Sequence, residues 1–252
     1  MRAAAQPKSD YLLIDISNSF TKIAFSTRRR VARAIRIPTK ALTRAALQRV
    51  SGARKIRAVI VSSVVPAKNE AVRRAARSLP VLFIGPDVEL GVGIDYPAPH
   101  TIGADRLANA AAAAQLYGCP AIVVDFGTAV TFDVVSARGD YVGGVIAPGL
   151  EAMTSFLYQR TALLPKLVLR EPQTAIGKTT RAAMMSGAIY GYRGLVREII
   201  ERIRSESFRR AKVRVIATGG YADLIAKQLP EIEAVHPGLT LDGLRLIANL
   251  NL

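Results

Sequence analysis

Two aspartate-led turns constrain the fold of this chain more than any other feature: Asp15 to Lys22, DISNSFTK, and Asp125 to Thr131, DFGTAVT. Each follows a short apolar run, YLLI at 11–14 and AIVV at 121–124, and each leads straight into a second one, KIAF at 22–25 and TFDVV at 131–135. A buried strand, a tight polar turn and a returning strand make a β-hairpin. The tip of such a hairpin presents carboxylate, hydroxyl and backbone N–H groups, a set that can cradle phosphates and a cation. One such hairpin carries little weight. Two of them, about half a chain apart, imply a duplicated nucleotide-binding fold with ATP held in a cleft between the halves.

The length of 252 residues allows one large domain or two moderate ones, each able to bury a core. No apolar run approaches the roughly 20 residues of a membrane span. The first residues, MRAAAQPKS, have no apolar stretch of the kind a secretory signal needs, and residues 1–9 read as a disordered leader. Cys119 is the single cysteine, which excludes an intrachain disulfide framework and any multi-cysteine metal site. Its place just before an apolar strand suggests a packed thiol. These features together point to a cytoplasmic protein with no membrane partner.

The net charge of +16 admits two readings. A basic surface is the electrostatic footprint of nucleic-acid binding, and it also draws in polyanionic small molecules such as ATP. The clusters Arg28-Arg29-Arg30, Arg54-Lys55, Arg73-Arg74 and Arg209-Arg210 are scattered, and aromatic residues do not interleave them. No helix-turn-helix, zinc or RNA-recognition signature accompanies them, so the second reading is favoured and no nucleic-acid partner is expected.

Along the chain, strands are expected at about 11–15, 21–26 and 31–37, joined by tight turns. Helix 40–51 follows with Thr39 as N-cap, then strand 56–61, helix 66–78 opened by Pro66, strand 81–84, a broken surface loop 85–101, and an alanine-rich helix 102–117 closed by Gly118. The order then recurs: strands at 121–125, 130–135 and 140–146, helices 149–160 and 178–205, strand 213–217, and helices 221–228 and 239–249. Three hairpin-linked strands followed by alternating helices and strands, given twice, is the α/β pattern of a duplicated ribonuclease-H-like (actin-like ATPase) fold. It implies two similar domains around a central cleft, 1–118 and 119–252.

Short motifs in a fixed order add chemistry to that frame. They are Asp15–Lys22, Gly103-Ala104-Asp105-Arg106, Asp125-Phe-Gly-Thr-Ala129, Gly143-Gly-Val-Ile-Ala-Pro-Gly149, Ile176-Gly-Lys-Thr-Thr180 with Ser186-Gly187, and Thr218-Gly219-Gly220. Each alone is short enough to occur by chance. Together, over nearly the whole chain, they resemble the type III pantothenate kinases, enzymes of the acetate-and-sugar-kinase/Hsp70/actin superfamily that phosphorylate pantothenate with ATP in the first step of coenzyme A synthesis.

The resemblance implies the following roles. The first turn, Asp15, Ile16, Ser17, Asn18, Ser19, Phe20, Thr21 and Lys22, holds the ATP phosphates, with Asp15 toward the magnesium-bound ones. Ser17 departs from the motif, which has glycine there. Asp105 is the catalytic base that takes the proton of the attacking hydroxyl. Tyr96, Gly103, Ala104, Asp105 and Arg106 contact pantothenate, as does Thr180 across a homodimer interface. Thr128 is an ATP phosphate ligand, and Asp125 binds a monovalent cation, potassium or ammonium. Thr218-Gly219-Gly220 lets adenosine lie against backbone. Each motif also has an ordinary local reading as a polar hairpin, a helix cap or a strand-to-helix turn.

Other chemistries find no pattern. His100 and His236 are the only histidines, no spacing marks a zinc site, and Gly177-Lys-Thr179 lacks the first glycine of a Walker loop. Two rivals stay open: a kinase of another small hydroxyl substrate, and a non-catalytic regulatory homologue.

Overall fold

A computed structural model of the chain describes residues 9–52, 54–209 and 211–252. Apart from Ser9 and Arg209, the leader expected at 1–9 and the pair Arg209-Arg210 lie outside the described residues.

The chain divides into two compact units. One runs up to Leu116 and takes in Gly238–Leu252, and the other is Tyr117–Pro237. The first contains β1 (Tyr11–Ile16), β2 (Phe20–Ser26), β3 (Ile35–Pro38), α1 (Arg44–Ser51), β4 (Ala58–Ser63), α2 (Asn69–Ala76), β5 (Val81–Phe83), the two-residue β6 (Gly93–Ile94) and α3 (Ala104–Tyr117). Its main sheet has the order β3-β2-β1-β4-β5. The hairpin-linked pairs are antiparallel, and the pairs joined through helices are parallel.

Alternate residues of these strands, Leu12, Ile14, Ile16, Ile23, Phe25, Val59 and Val61, enter one apolar cluster with Leu47 of α1 and Val72 and Ala76 of α2. Strand alternation therefore turns Leu13, Asp15, Lys22 and Ser62 to the opposite face. The last helix, Leu239–Asn251, packs on β1 and β4 and buries Leu239, Leu241, Leu244 and Ile247. It belongs to the first unit by contact, whereas the expected division at 1–118 and 119–252 placed it in the second. Gly243 makes this seating possible, because a Cβ there would run into the Ala108 carbonyl of α3.

Local differences from expectation have local causes. The strand expected from 31 begins at Ile35, and only Val31 bridges back to Ser26. The arginine turn itself is tight, as expected, closed by the Thr27 N–H donating to the Arg30 carbonyl at 3.0 Å and held by the Arg28 N–H donating to Asp10 Oδ2 at 3.0 Å. The helix expected at 40–51 begins at Arg44, with Thr43 as its cap accepting from the Ala46 N–H at 3.1 Å. Thr39 instead opens a single 3₁₀ turn and is buried.

The second unit contains β7 (Ala121–Phe126), β8 (Ala129–Val135), β9 (Asp140–Pro148), α4 (Leu150–Arg160), α5 (Thr180–Ser207), β10 (Arg214–Gly219), α6 (Ala222–Ile225) and β11 (Ala234–Val235); the final helix is α7. Its strands lie in the order β11-β10-β7-β8-β9. Read from the hairpin outward, this repeats the first unit: two antiparallel neighbours on one side and two parallel ones on the other. The duplication is thus architectural.

Ile189, Tyr192, Val196 and Ile200, at helical spacing along α5, pack on Ile122, Val124, Phe126 and Phe132. The buried Arg193 donates to Glu171 at 2.6 and 2.8 Å and to the Leu224 and Ile225 carbonyls at 2.8 and 3.3 Å. It thereby ties the 161–176 connection and α6 to α5. Cys119 is exposed rather than packed, and partial burial together with the Asp140 charge pushes its thiol up from its ordinary value, so a reactive thiolate is disfavoured. No described helix is long and apolar enough to cross a membrane.

Candidate functional site

In the first unit the β1–β2 turn is held from one side. Asp15, buried near the end of β1, pairs across the ladder with Lys22 and stands beside Ser62 of β4. The turn closes with the Ser17 N–H donating to the Phe20 carbonyl at 3.2 Å, leaving Asn18 and Ser19 exposed. Thr39, absent from the sequence-derived set, fastens it: its hydroxyl donates to the Ser17 carbonyl at 2.6 Å, and its N–H donates to the Ser19 carbonyl at 3.0 Å. The Thr21 and Thr39 hydroxyls lie 3.1 Å apart.

The side chains of Ile16 and Thr21 are buried inside the unit, so only their backbone groups face the turn. Phe20 is half exposed, with the Arg36 guanidinium 3.5 Å from its ring centroid. Among the described residues Arg77 alone combines a side chain with a left-handed φ. Ser17 therefore occupies the motif's glycine position in a conformation any L-residue adopts.

The loop-to-helix junction at Gly103 lies beside this hairpin. The Val64 N–H donates to the Ile16 carbonyl at 3.0 Å, and the Val64 side chain sits 3.5 Å from where a Gly103 Cβ would be. The Asp105 carboxylate folds back at the N-terminus of α3, taking the Arg106 N–H at 2.9 Å. It would stand 2.6 Å from a Cβ at Gly103, so glycine leaves it room. A carboxylate there is also stabilised by the positive end of the helix. Ala104 is buried and Arg106 half-buried, while Tyr96 is exposed on the loop after β6.

In the second unit the β7–β8 turn is tight, with the Gly127 N–H donating to the Ala129 carbonyl at 3.0 Å. Asp125 lies opposite Thr131 and beside Thr218 of β10. Two glycines from other segments press on this turn. A Cβ on Gly149 would run into the Thr128 carbonyl oxygen, and would lie 2.7 Å from the Thr128 carbonyl carbon and 2.8 Å from the Gly127 oxygen. One on Gly219, whose φ is +94°, would lie 2.5 Å from Asp125 Oδ1 and 2.6 Å from the Phe126 backbone. At Gly127 itself a Cβ would meet only the Ala129 oxygen at 3.4 Å and Asp125 Oδ1 at 3.7 Å. The chain at the end of β9 is fixed from behind by Tyr192, whose hydroxyl donates to the Pro148 carbonyl at 3.4 Å and whose pKa burial pushes up to about 12.

Beside Asp125, the Thr218 hydroxyl is fully buried and makes no hydrogen bond among the described residues. Carboxylate, hydroxyl and carbonyl oxygens are the hard donors an alkali cation takes, so this corner fits one. Among the described residues there is no group of three or more His, Cys, Asp or Glu placed to hold a metal.

Thr180 is the exposed first residue of α5, and the cap is Thr179, which accepts from the Ala182 N–H at 3.1 Å. The sequence reading missed Thr39 and the pressure of Gly149 and Gly219 on the second turn. A threonine after a proline resembles a helix start, and glycines after strands resemble plain turns.

A family model described as type III pantothenate kinase matches residues 11–202. A type III pantothenate kinase of Akkermansia muciniphila is 49% identical over 96% of this chain and 99% of its own. One of Methylacidiphilum infernorum is 43% identical over 95% of this chain and 88% of its own. Among solved structures, a Campylobacter jejuni protein described under the Baf family of transcriptional activators superposes with a TM-score of 0.60 at 18% identity, covering 94% of this chain and 97% of that one. An archaeal actin homologue gives a TM-score of 0.52 at 12% identity, covering 95% and 99%. At such identities the structures speak for the fold alone, and that fold is the actin-like one.

Proposed function

The chain belongs to the type III pantothenate kinase family and is a kinase that phosphorylates pantothenate with ATP in coenzyme A biosynthesis, and we propose that Asp105 is its catalytic base. The observation that carries this reading is the Asp105 carboxylate at the N-terminus of α3, next to the first hairpin through Val64. In this reading Asp105 accepts the proton of the pantothenate hydroxyl as its oxygen bonds to the γ-phosphorus. The bond from that phosphorus to the bridging oxygen breaks, ADP leaves, and 4′-phosphopantothenate forms. A base in this role needs placement within hydrogen-bond reach more than an extreme pKa.

The Asp15–Lys22 turn and Thr128 hold ATP phosphates, so that backbone N–H groups and Lys22 meet the charge that develops in transfer. Tyr96, Gly103, Ala104, Arg106 and Thr180 contact pantothenate. Magnesium bound to ATP would neutralise phosphate charge, with Asp15 on the side of the phosphates that carry it. Asp125, with Thr218 beside it, would hold the monovalent cation, potassium or ammonium. The +16 charge draws the polyanionic substrate toward the protein.

A homodimer follows from the same reading. Support comes from apolar side chains left exposed in the second unit, Met153, Phe156, Leu157 and Tyr158 of α4 and Tyr190 of α5. A second copy of the chain would cover them and let Thr180 complete the partner's pantothenate site. We place the enzyme in the cytoplasm.

The test is ATP-dependent formation of 4′-phosphopantothenate with potassium present, comparing the parent with Asp105→Asn. The expected result is a kcat lower by about 10²- to 10⁴-fold, with ATP binding retained. Parental kcat in Asp105→Asn removes the role of Asp105, and an inactive parent overturns the whole assignment.

A further inference from the structure

We infer that Thr39 is a positioning residue for the first phosphate turn, presetting the backbone N–H of Asn18 toward the ATP phosphates. The inference rests on the reading of Asp15–Lys22 as a phosphate site. Thr39 reaches the turn through two groups at once, its hydroxyl on the Ser17 carbonyl at 2.6 Å and its N–H on the Ser19 carbonyl at 3.0 Å. It is 3% exposed, and its hydroxyl lies 3.1 Å from that of Thr21, which is wholly buried.

The direction of this grip gives it consequence. Thr21 pairs with Ile16 in the ladder, and Ile16 belongs to the apolar cluster under α1 and α2. The Ser17 carbonyl, drawn to Thr39 beside Thr21, therefore points to that core side. In a trans peptide the carbonyl and the following N–H point in opposite directions. Pinning the Ser17 carbonyl to the core side turns the Asn18 N–H toward the other side, where Asp15 and Lys22 project. With Ser17 at the motif's glycine position and no left-handed φ there, Thr39 supplies from outside an orientation that the turn itself does not impose.

Thr39→Val keeps the shape and removes the hydroxyl. The expected result is a KM for ATP raised about tenfold, equivalent to about 1.4 kcal/mol, with kcat and the KM for pantothenate near parental. Thr39→Ser, which keeps the hydroxyl, should recover most of the loss. A change in thermal stability with unchanged KM for ATP in Thr39→Val would overturn the inference, since a merely structural threonine behaves that way. A second measurement on the parent stands even if Thr39→Val does not fold. The ¹H–¹⁵N resonance of Asn18 should move on adding magnesium and the ATP analogue with an imido bridge between the β- and γ-phosphates, and an unmoved resonance overturns the inference. Lys22→Ala separates the two layers. If it raises the KM for ATP while the Asn18 resonance stays still, only the role of Thr39 falls. If Lys22→Ala leaves the KM for ATP unchanged and the resonance is also still, the phosphate reading of the turn falls with it.

Discussion

Replacing Gly149 by alanine adds one methyl group where the second hairpin has no room for it. The backbone of Gly149 is ordinary, with φ −68° and ψ 159°, so alanine meets no conformational penalty of its own. The obstacle is the turn: the new Cβ would sit 2.7 Å from the Thr128 carbonyl carbon and 2.8 Å from the Gly127 oxygen, with the Thr128 oxygen nearer still. Both neighbours are backbone and cannot swing aside as a side chain can. Restoring ordinary contact requires the Gly127–Thr128 turn and the β9–α4 junction to separate by about 1 Å. Overpacking of this kind costs about 1–3 kcal/mol of stability, and a displacement of about 1 Å in a group that positions substrate costs about 10²-fold in rate.

Gly127→Ala is the matched control for the steric argument, because its Cβ would find 3.4 and 3.7 Å to its neighbours. Gly149→Ala should therefore lower both the melting temperature and kcat/KM for ATP. Gly127→Ala should leave the melting temperature near parental and, on the proposed reading of this turn as a phosphate site, weaken ATP alone. Thermal melts and steady-state kinetics on the two variants read this directly. A Gly149→Ala protein with parental melting temperature and parental kcat/KM refutes the reasoning.

Two further outcomes follow from features of each unit. Because Ser17 has no left-handed φ, Ser17→Gly relieves no strain and only loosens the unfolded chain; it should lower stability by about 0.4–1 kcal/mol, and a rise in melting temperature would contradict this. The Arg193 guanidinium bonded to Glu171 holds that carboxyl below its ordinary value of 4.5, so the pair's contribution is complete above 4.5 and is lost as the pH falls through the lower folded value. Glu171 is half exposed, which keeps the effect small, and the stability gap between parent and Glu171→Gln should narrow on acidification below 4.5, a widening gap arguing the opposite.

The parts of this fold that were legible in the sequence are those with local causes. The two hairpins declare themselves through apolar runs around polar turns, and α5 through the spacing of Ile189, Tyr192, Val196 and Ile200. Thr39 shows where local reading stops. Pro38-Thr39 has the form of a helix start, yet the Thr39 hydroxyl is engaged by the Ser17 carbonyl twenty-two residues earlier in the chain, and Thr43 caps α1 instead. Gly149 and Gly219 are legible as glycines, but what they touch is set by β9 and β10 flanking the hairpin, a tertiary fact. The same holds for Thr218, which a sequence places in a turn and the parallel register places beside Asp125. Asp105 was legible as a helix-start acid, and its nearness to β1 through Val64 was not.

The return of α7 to the first unit has a consequence for how the protein is made. Residues 117–237 form a contiguous unit, all of whose strands are available once that stretch has been synthesised. The first unit, although begun earlier, lacks the helix that covers β1 and β4 until residues 238–252 emerge. Domains generally fold as units; here the first cannot complete from its N-terminal stretch alone, because the face bearing Leu13 and Ile60 lacks its covering helix until residues 238–252 are present.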